Sequence, residues 1–332
     1  MMHYIDSIYG PTAITEPVLL DLIDSQAMQR LKGVLQHGIS GLIGITDAVT
    51  RFDHSLGSML LVRRLGGSLA EQIAALLHDA SHTAFSHVID YVFNDHNGQS
   101  YHDRIKKTYL QKTDVPGILA GHGYDWTKFL HEENFPLLEQ PAPRLCADRV
   151  DYFLRDSEGL GLATADDIAF VLRHLVVGNG RIATDDLDAA RWLGYTFIKA
   201  DDASWANFFE VGIYELTAQA IRAGLQVGAI SEDDFRGTDA SLWAKLHDHA
   251  HEGLQKQLAL VSPHTIIVWD AESPDFWVST KIRSIDPDVV VEGVLRPLST
   301  LDLDYAQFRA DYLRRKQGKW PMRIVIPDKA TR

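Results

Sequence analysis

Three short segments of the sequence place histidines and aspartates within otherwise apolar surroundings. They are Arg-Phe-Asp-His-Ser-Leu-Gly at residues 51–57, Leu-Leu-His-Asp-Ala-Ser-His-Thr-Ala-Phe-Ser-His at 76–87, and Asp-Arg-Val-Asp-Tyr-Phe-Leu-Arg-Asp at 148–156. A buried imidazole or carboxylate costs free energy unless it is paired or bound to a metal ion. The three segments together therefore predict one shared polar site.

The residue types in these segments are those that hold a divalent metal. The adjacent His78 and Asp79 offer one nitrogen and one oxygen ligand from the end of one helix, and His54 and Asp148 would add one each from two others. A lone His-Asp pair is more often a surface pair or a helix cap, so the prediction depends on all three segments. The mixed set suits one divalent ion, such as Mn, Fe, Ni, Mg or Zn, with positions left open for water and substrate.

The same segments resemble the HD-domain phosphohydrolase superfamily, and within it the deoxynucleoside triphosphate triphosphohydrolases. The resemblance covers about residues 20–160, with weaker support to about residue 230. It implies a metal-dependent phosphohydrolase with four metal ligands, which are His54, His78, Asp79 and Asp148.

The resemblance also implies a set of histidines on the phosphate side of the substrate. His87 matches the catalytic histidine, and Asp90, one turn later, matches the carboxylate that orients it. His82 and His102 match further histidines that face the phosphates. A structural role is the alternative for His82, which could only support a metal ligand, and for His87, which could be a buried core residue.

Five further residues match substrate contacts of the family. Arg51 and Arg149 correspond to cations that reach the phosphates, while Gln36, Tyr152 and Asp156 correspond to residues that line the sugar. Asp156 is expected to reach the 3′-hydroxyl. Tyr152 could instead belong to the core.

The sequence departs from the family pattern at two places. His37 stands where the triphosphohydrolases carry an apolar residue that packs against deoxyribose, and its imidazole could contact a sugar hydroxyl. The segment 80–87 lacks the glycines and proline of the family pattern, so its backbone is expected to differ. Selectivity for deoxyribose over ribose therefore stays open.

The resemblance favours hydrolysis of a nucleoside triphosphate, deoxy or ribo, to nucleoside and tripolyphosphate. A phosphoesterase for nucleoside monophosphates or cyclic nucleotides is one alternative, and a nucleotide-sensing domain without turnover is another. Nucleic acid is a disfavoured partner, because the chain has 32 basic and 45 acidic residues and a net charge of −13. The expected partner is a small nucleotide substrate.

The elements that position these residues are predicted to be mainly helical. Apolar residues recur at helical spacing through most of residues 16–228, whereas short strands are predicted after about residue 260, including the alternating segment 276–283. We predict a mainly α HD-domain helical bundle over residues 1–230 and a small α+β C-terminal extension over 231–332. The extension could finish the fold, cover the site or build a homo-oligomer contact.

Composition limits the class of protein. The 332-residue chain is 45% hydrophobic, which is enough for a sizeable core, and its single cysteine, Cys146, allows no internal disulfide. The sequence has no apolar run long enough to span a bilayer and no signal-peptide pattern at its start. These features predict a cytoplasmic protein without a membrane partner.

Overall fold

The computed structural model describes residues 1–325 and is mainly α-helical, as predicted. Ile326, at the end of one predicted strand, lies outside the described residues. The α-helices are α1 Pro17–Ile23, α2 Gln26–Arg30, α3 Ile39–Leu42, α4 Arg51–Arg64, α5 Leu69–Leu77, α6 Val88–Val92, α7 Tyr101–Leu110, α8 Val115–Gly121, α9 Ala147–Gly159, α10 Ala165–His174, α11 Leu187–Ala200, α12 Phe208–Gln226, α13 Asp239–Asp248, α14 Glu252–Leu258, α15 Leu298–Leu301 and α16 Leu303–Lys316.

Three small sheets accompany the helices. A hairpin of two strands begins the chain, a sheet of order β3-β4-β7-β8 lies beside α11, and a sheet of order β5-β9-β6 packs on α12. The strands are β1 Met2–Asp6, β2 Gly10–Ile14, β3 Leu175–Gly178, β4 Arg181–Thr184, β5 Ile266–Trp269, β6 Phe276–Val278, β7 Asp288–Val291, β8 Val294–Pro297 and β9 Trp320–Val325.

The central packing of the fold is between α4, α5 and α9. Their buried faces join the largest apolar cluster, while α6, α12, α13 and α14 form a second cluster with the sheet β5-β9-β6. The side chains of Thr50 and Ser68 cap α4 and α5 by accepting the backbone N–H of Asp53 and Glu71. Both helices therefore have well-defined N-terminal ends, and the first polar segment begins at the capped end of α4.

The structure corrects two predictions about secondary structure. The helical pattern after residue 16 is interrupted at Ser25, whose hydroxyl accepts the N–H of Met28 and starts a new helix. The alternating segment 276–283 is a strand only over Phe276–Val278. It ends there because its partner β9 begins at Trp320, which pairs with Val278 and leaves nothing for residue 279 to pair with.

Two strands in the middle of the chain lie within the region predicted to be helical. β3 and β4 form a hairpin, and Thr184 of β4 pairs in parallel with Val289 of β7. The C-terminal strands thus complete a sheet that begins in the first two-thirds of the chain. The proposed division at residue 230 stays a prediction. Among residues 1–325, no helix combines the length and apolar character needed to cross a bilayer.

Gly57 permits the close approach of α4 and α9. A Cβ atom at this position would lie 2.0 Å from the guanidinium of Arg155 and 2.0 Å from the carboxylate of Asp151. Both of these side chains are buried and paired with each other, so neither can move without exposing an unpaired charge. The spacing of the two helices therefore depends on glycine.

We predict that Gly57→Ala lowers the free energy of unfolding by about 1–3 kcal/mol, because overpacking displaces this ion pair. Gly117→Ala is the matched control. It lies in α8, where a methyl group would meet no atom of the surrounding protein within 4 Å, and it should gain about 0.5–1 kcal/mol from helix propensity. Urea denaturation of both variants measures the difference, and equal stability of the two would contradict the packing argument.

Candidate active site

One cavity of about 550 Å³ brings together the residues predicted from the three polar segments. Every predicted site residue lines this cavity except Asp90, which lies behind His87 and contacts its ring. The volume falls within the range of sites for small-molecule ligands. The lining residues that sequence analysis named are Gln36, His37, Arg51, His54, His78, Asp79, His82, His87, His102, Asp148, Arg149, Tyr152 and Asp156.

Four of these side chains converge at one point from three helices. His54 Nε2 on α4 lies 3.0 Å from Asp148 Oδ1 on α9 and 3.1 Å from Nε2 of His78, which follows α5. The carboxylate of Asp79 lies 3.6 Å from His78 Nε2 and 3.8 Å from His54 Nε2. The predicted set of two nitrogens and two oxygens thus surrounds one small volume.

Hydrogen bonds behind the two imidazoles determine which nitrogen faces this volume. His54 Nδ1 lies 2.7 Å from Asp151 Oδ2, and His78 Nδ1 lies 2.7 Å from the carbonyl oxygen of Ala75. Because both acceptors take a proton on Nδ1, the lone pair of each ring in its neutral form lies on Nε2 and faces the other ring. Two lone pairs at 3.1 Å repel unless a positive charge lies between them, so the donor set fits a divalent cation.

The pKa shifts of His78 and Asp79 also indicate that the cluster favours a positive charge. Burial lowers the pKa of His78, but the carboxylates of Asp79 and Asp148 outweigh it and raise that pKa to about 10. Burial likewise raises the pKa of Asp79, but Arg51 and His78 hold it well below its usual value. The four side chains therefore form an electron-rich cluster that attracts a cation.

Arg51 holds the carboxylate of Asp79 in place. Its Nη1 lies 2.5 Å from Asp79 Oδ2, and its Nε donates to Ser86 Oγ at 2.8 Å. Ser86 in turn donates to the carbonyl oxygen of Leu35 at 2.6 Å. The guanidinium expected to reach a phosphate is thus also the partner of a predicted metal ligand.

The backbone around Ser86 is in the left-handed region without any glycine. Phe85 has φ 60° and Ser86 has φ 50°, a conformation that costs non-glycine residues about 1–2 kcal/mol each. The buried Asp239 carboxylate accepts the N–H of Phe85 at 2.8 Å and helps to offset this cost. This turn directs Ser86 at Arg51 and His87 at the cavity.

A row of three histidines extends from the four-residue cluster. The rings of His82 and His102 stack at 3.8 Å, and the ring of His87 meets them edge-on at 5.1 and 5.7 Å. His87 Nδ1 lies 2.9 Å from Asp90 Oδ2, and Asp90 also accepts the backbone N–H of Tyr101 at 2.8 Å. Asp90 therefore orients His87 with its Nε2 directed away from Asp90.

Another part of the cavity lining, which begins beside His54, is aromatic and polar. Tyr152 packs edge-on against Trp205 with ring centroids 4.9 Å apart. Trp205 Nε1 donates to Asp156 Oδ2 at 2.7 Å, and His37 Nε2 lies 2.9 Å from Asp156 Oδ1. Gln36 Oε1 is buried and has no hydrogen-bond partner among the described residues, so it is available to a ligand.

Arg149 lines the cavity but is partly engaged by the protein. Its Nη1 donates to the carbonyl oxygen of Arg144 at 2.6 Å, and its Nη2 lies 3.5 Å from Glu139 Oε1. Its side chain has an exposed fraction of 14%. The guanidinium is thus held at the rim of the site by these contacts.

Sequence analysis missed four residues that shape the site. Asp151 was assigned no role in the site, although its spacing of three from Asp148 places both on one helical face. Lys281 and Arg283 line the cavity, and the alternation in 276–283 had grouped these two cations on one face. No local pattern marked Trp205, which lies in a π-helical turn, Asp201–Trp205, after α11.

Comparisons with known proteins agree with this geometry. The HD domain family model matches residues 51–156, which contain all four residues of the cluster. A metal-dependent phosphohydrolase, cns2, from Cordyceps militaris is 38% identical over 299 residues, covering 88% of this chain and 86% of that protein. The deoxynucleoside triphosphate triphosphohydrolase SAMHD1 of Danio rerio is 33% identical over 108 residues, covering 28% of this chain and 17% of that protein.

The fold as a whole is shared with a solved structure. A phosphohydrolase from Bacteroides thetaiotaomicron superposes with a TM-score of 0.69, covering 97% of this chain and 99% of that one at 17% sequence identity. That similarity concerns the fold alone. The extended match to the Cordyceps protein, the HD domain match and the metal-type cluster have one explanation: this chain belongs to the HD-domain metal-dependent phosphohydrolases.

Proposed function

We propose that the protein hydrolyses nucleotides, with nucleoside triphosphates as the favoured substrates. The observation that carries the proposal is that one cavity combines two kinds of lining residues. The metal-type cluster and the row of histidines suit phosphate, while Tyr152, Trp205 and Gln36 suit a sugar and base. The partial similarity to a deoxynucleoside triphosphate triphosphohydrolase supports the same substrate class.

In this proposal His54, His78, Asp79 and Asp148 hold one divalent ion. When bound, the ion would supply Lewis-acid polarisation of a phosphoryl oxygen. Asp151 and the Ala75 carbonyl keep the two imidazoles in the tautomer that a metal requires. Arg51 orients Asp79 and adds a positive charge where negative charge develops on the phosphate.

His87 is the proposed proton acceptor for the attacking water. Burial and the nearby cations Arg51, Arg283 and Lys281 hold the pKa of His87 well below its usual value. The imidazole is therefore neutral at pH 7. With Nδ1 donating to Asp90, the lone pair on Nε2 can accept a proton.

A phosphoesterase for nucleoside monophosphates or cyclic nucleotides is the second candidate. It is favoured by the pair of His37 and Asp156, whose side chains contact each other at 2.9 Å. Trp205 Nε1 donates a hydrogen bond to the other carboxylate oxygen, Asp156 Oδ2. The carboxylate expected to bind the 3′-hydroxyl thus already has two protein partners, and a different sugar or phosphate position would follow.

We predict that Asp79→Ala abolishes metal binding and reduces turnover by at least about 10³-fold, because it removes a ligand and unpairs Arg51. Metal content by mass spectrometry and activity with Mn or Fe added provide the measurement. His122→Ala is the control, since His122 pairs with Asp21 at the surface. Turnover at the original level in Asp79→Ala would refute the ligand assignment.

Asp151→Asn tests the support behind His54. The amide keeps the shape of the carboxylate but cannot fix the same tautomer as strongly, so metal affinity should fall roughly 10- to 100-fold. Competition with a fluorescent chelator measures the affinity. Excess metal should restore much of the turnover in Asp151→Asn and none in Asp79→Ala, and an unchanged affinity would contradict the role of Asp151.

The substrate class is tested with a panel of deoxy- and ribonucleoside triphosphates, monophosphates and cyclic nucleotides, with each divalent metal. Release of tripolyphosphate and nucleoside, resolved by ion-exchange chromatography, is the expected result. Orthophosphate from monophosphates or cyclic substrates, with no turnover of triphosphates, would replace the first proposal by the second candidate.

The pH profile tests His87. The low pKa predicts that kcat/KM holds its value to more acidic pH than an ordinary histidine would allow. Removing a nearby positive charge makes protonation easier, so Arg283→Ala should move the acid limb to higher pH when metal is in excess. Arg296→Ala removes an exposed cation elsewhere as the control. An acid limb unmoved in Arg283→Ala would contradict the assignment.

A further inference from the structure

The coil between β6 and β7 forms part of the cavity wall. It follows the short strand that ends at Val278 and brings Lys281 and Arg283 into the lining, where Arg309 of α16 joins them. These residues lie more than 120 positions after Asp156, the last residue of the HD domain match. The wall of the cavity therefore includes cations from the C-terminal part of the chain.

The cations of this wall, of which Lys281 is exposed and Arg283 is half-buried, differ in their pairing from the buried cations Arg51 and Arg155. Arg51 and Arg155 each pair with a carboxylate, at 2.5 and 2.7 Å. Within residues 1–325, no carboxylate lies within 4.0 Å of the charged groups of Lys281, Arg283 or Arg309. In a chain with a net charge of −13, such a group of uncompensated cations in a cavity calls for an anionic ligand.

The backbone of this coil is held by three contacts. The N–H of Arg283 donates to the buried Asp201 carboxylate at 2.9 Å, and the N–H of Asp286 donates to the Pro143 carbonyl at 2.8 Å. Between them, the hydroxyl of Tyr305 donates to the carbonyl oxygen of Ile285. The backbone that carries Arg283 is thus fixed before a ligand arrives, and Gln99 Oε1 also accepts from its guanidinium, which reduces the entropy cost of binding.

The pKa shifts in the cavity also favour an anionic ligand beside Lys281 and Arg283. Burial, together with Arg283 and Arg149, lowers the pKa of Lys281. Lys281 and Arg283 also contribute to the low pKa of His87, which places their charges near the row of histidines. An anion bound among these groups would relieve the repulsion between them.

We infer that Lys281 and Arg283 form a subsite for the phosphate groups of the substrate beyond the one that reacts. This inference rests on the proposed function and adds to it a polyphosphate specificity supplied by the C-terminal coil. Arg283 offers a planar guanidinium with several donors and Lys281 a single ammonium, a combination that suits adjacent phosphates. A monophosphate would leave this subsite without a ligand.

Direct binding of inorganic tripolyphosphate to the metal-loaded protein tests the subsite without depending on turnover. Isothermal titration calorimetry should show that Lys281→Ala and Arg283→Ala each weaken binding at least about tenfold, the loss expected for one charge-assisted hydrogen bond. Orthophosphate binding should change by less than about threefold, because a single phosphate is expected at the metal-type cluster, where solvent and salt screen the charges of Lys281 and Arg283.

Lys319→Ala and Arg296→Ala are the matched controls. Both remove an exposed cation of the C-terminal part that lies outside the cavity and has no carboxylate partner within the described residues. Arg283→Lys keeps the charge and should recover part of the affinity. The backbone contact of Arg283 with Asp201 does not involve its side chain, but Arg283→Ala also removes the contacts of the guanidinium with Gln99 Oε1 and the Lys281 carbonyl oxygen. A small fall in melting temperature is therefore expected for Arg283→Ala and none for Lys281→Ala.

The outcomes separate the subsite from the proposed reaction. Tripolyphosphate binding that is absent in the original protein, or unchanged in both alanine variants, overturns the subsite. Triphosphate turnover with an unchanged KM in these variants also overturns it and leaves the proposed reaction standing. Weakened tripolyphosphate binding without hydrolysis of any triphosphate retains the subsite and refutes the proposed reaction.

Discussion

The buried carboxylate of Asp151 joins the metal-type cluster to the framework of the protein. It accepts from His54 Nδ1 at 2.7 Å and from Arg155 Nε at 2.9 Å, and Arg155 continues to Asp6 of the N-terminal hairpin at 2.7 Å. These charges are desolvated, so removing Arg155 would leave the buried carboxylate of Asp6 without its ion-pair partner. The close approach of α4 and α9 at Gly57 accommodates this chain of contacts.

The rest of the cavity extends this arrangement of charge. An acidic protein has to concentrate its cations if it is to bind an anion, and here Arg51, Arg149, Lys281 and Arg283 line the same cavity. The histidine row lies beside them and stays neutral because it is buried and faces positive charge. The site thus combines a cluster that attracts a metal with a wall that attracts phosphate.

Local sequence signals were sufficient to predict the role of a residue where that role depends on its own helix or turn. The HD-domain fold class and the convergence of His54, His78, Asp79 and Asp148 could be predicted because each lies within a distinctive segment on a strongly helical pattern. The alternation in 276–283 was less informative. It grouped Lys281 correctly with Arg283 but suggested a strand, since no local signal shows where the partner strand β9 begins.

The sequence by itself determined the family, the helical character and the residue types that can hold a divalent metal, because these depend on short-range spacing and side-chain chemistry. Only the tertiary structure decided that Asp151 supports His54, that Asp156 is engaged by His37 and Trp205, and that two C-terminal cations line the same cavity as the histidine row. Those contacts join residues that lie far apart along the chain. The packing of helices and coils creates these contacts, and the spacing of residues along the chain does not predict that packing.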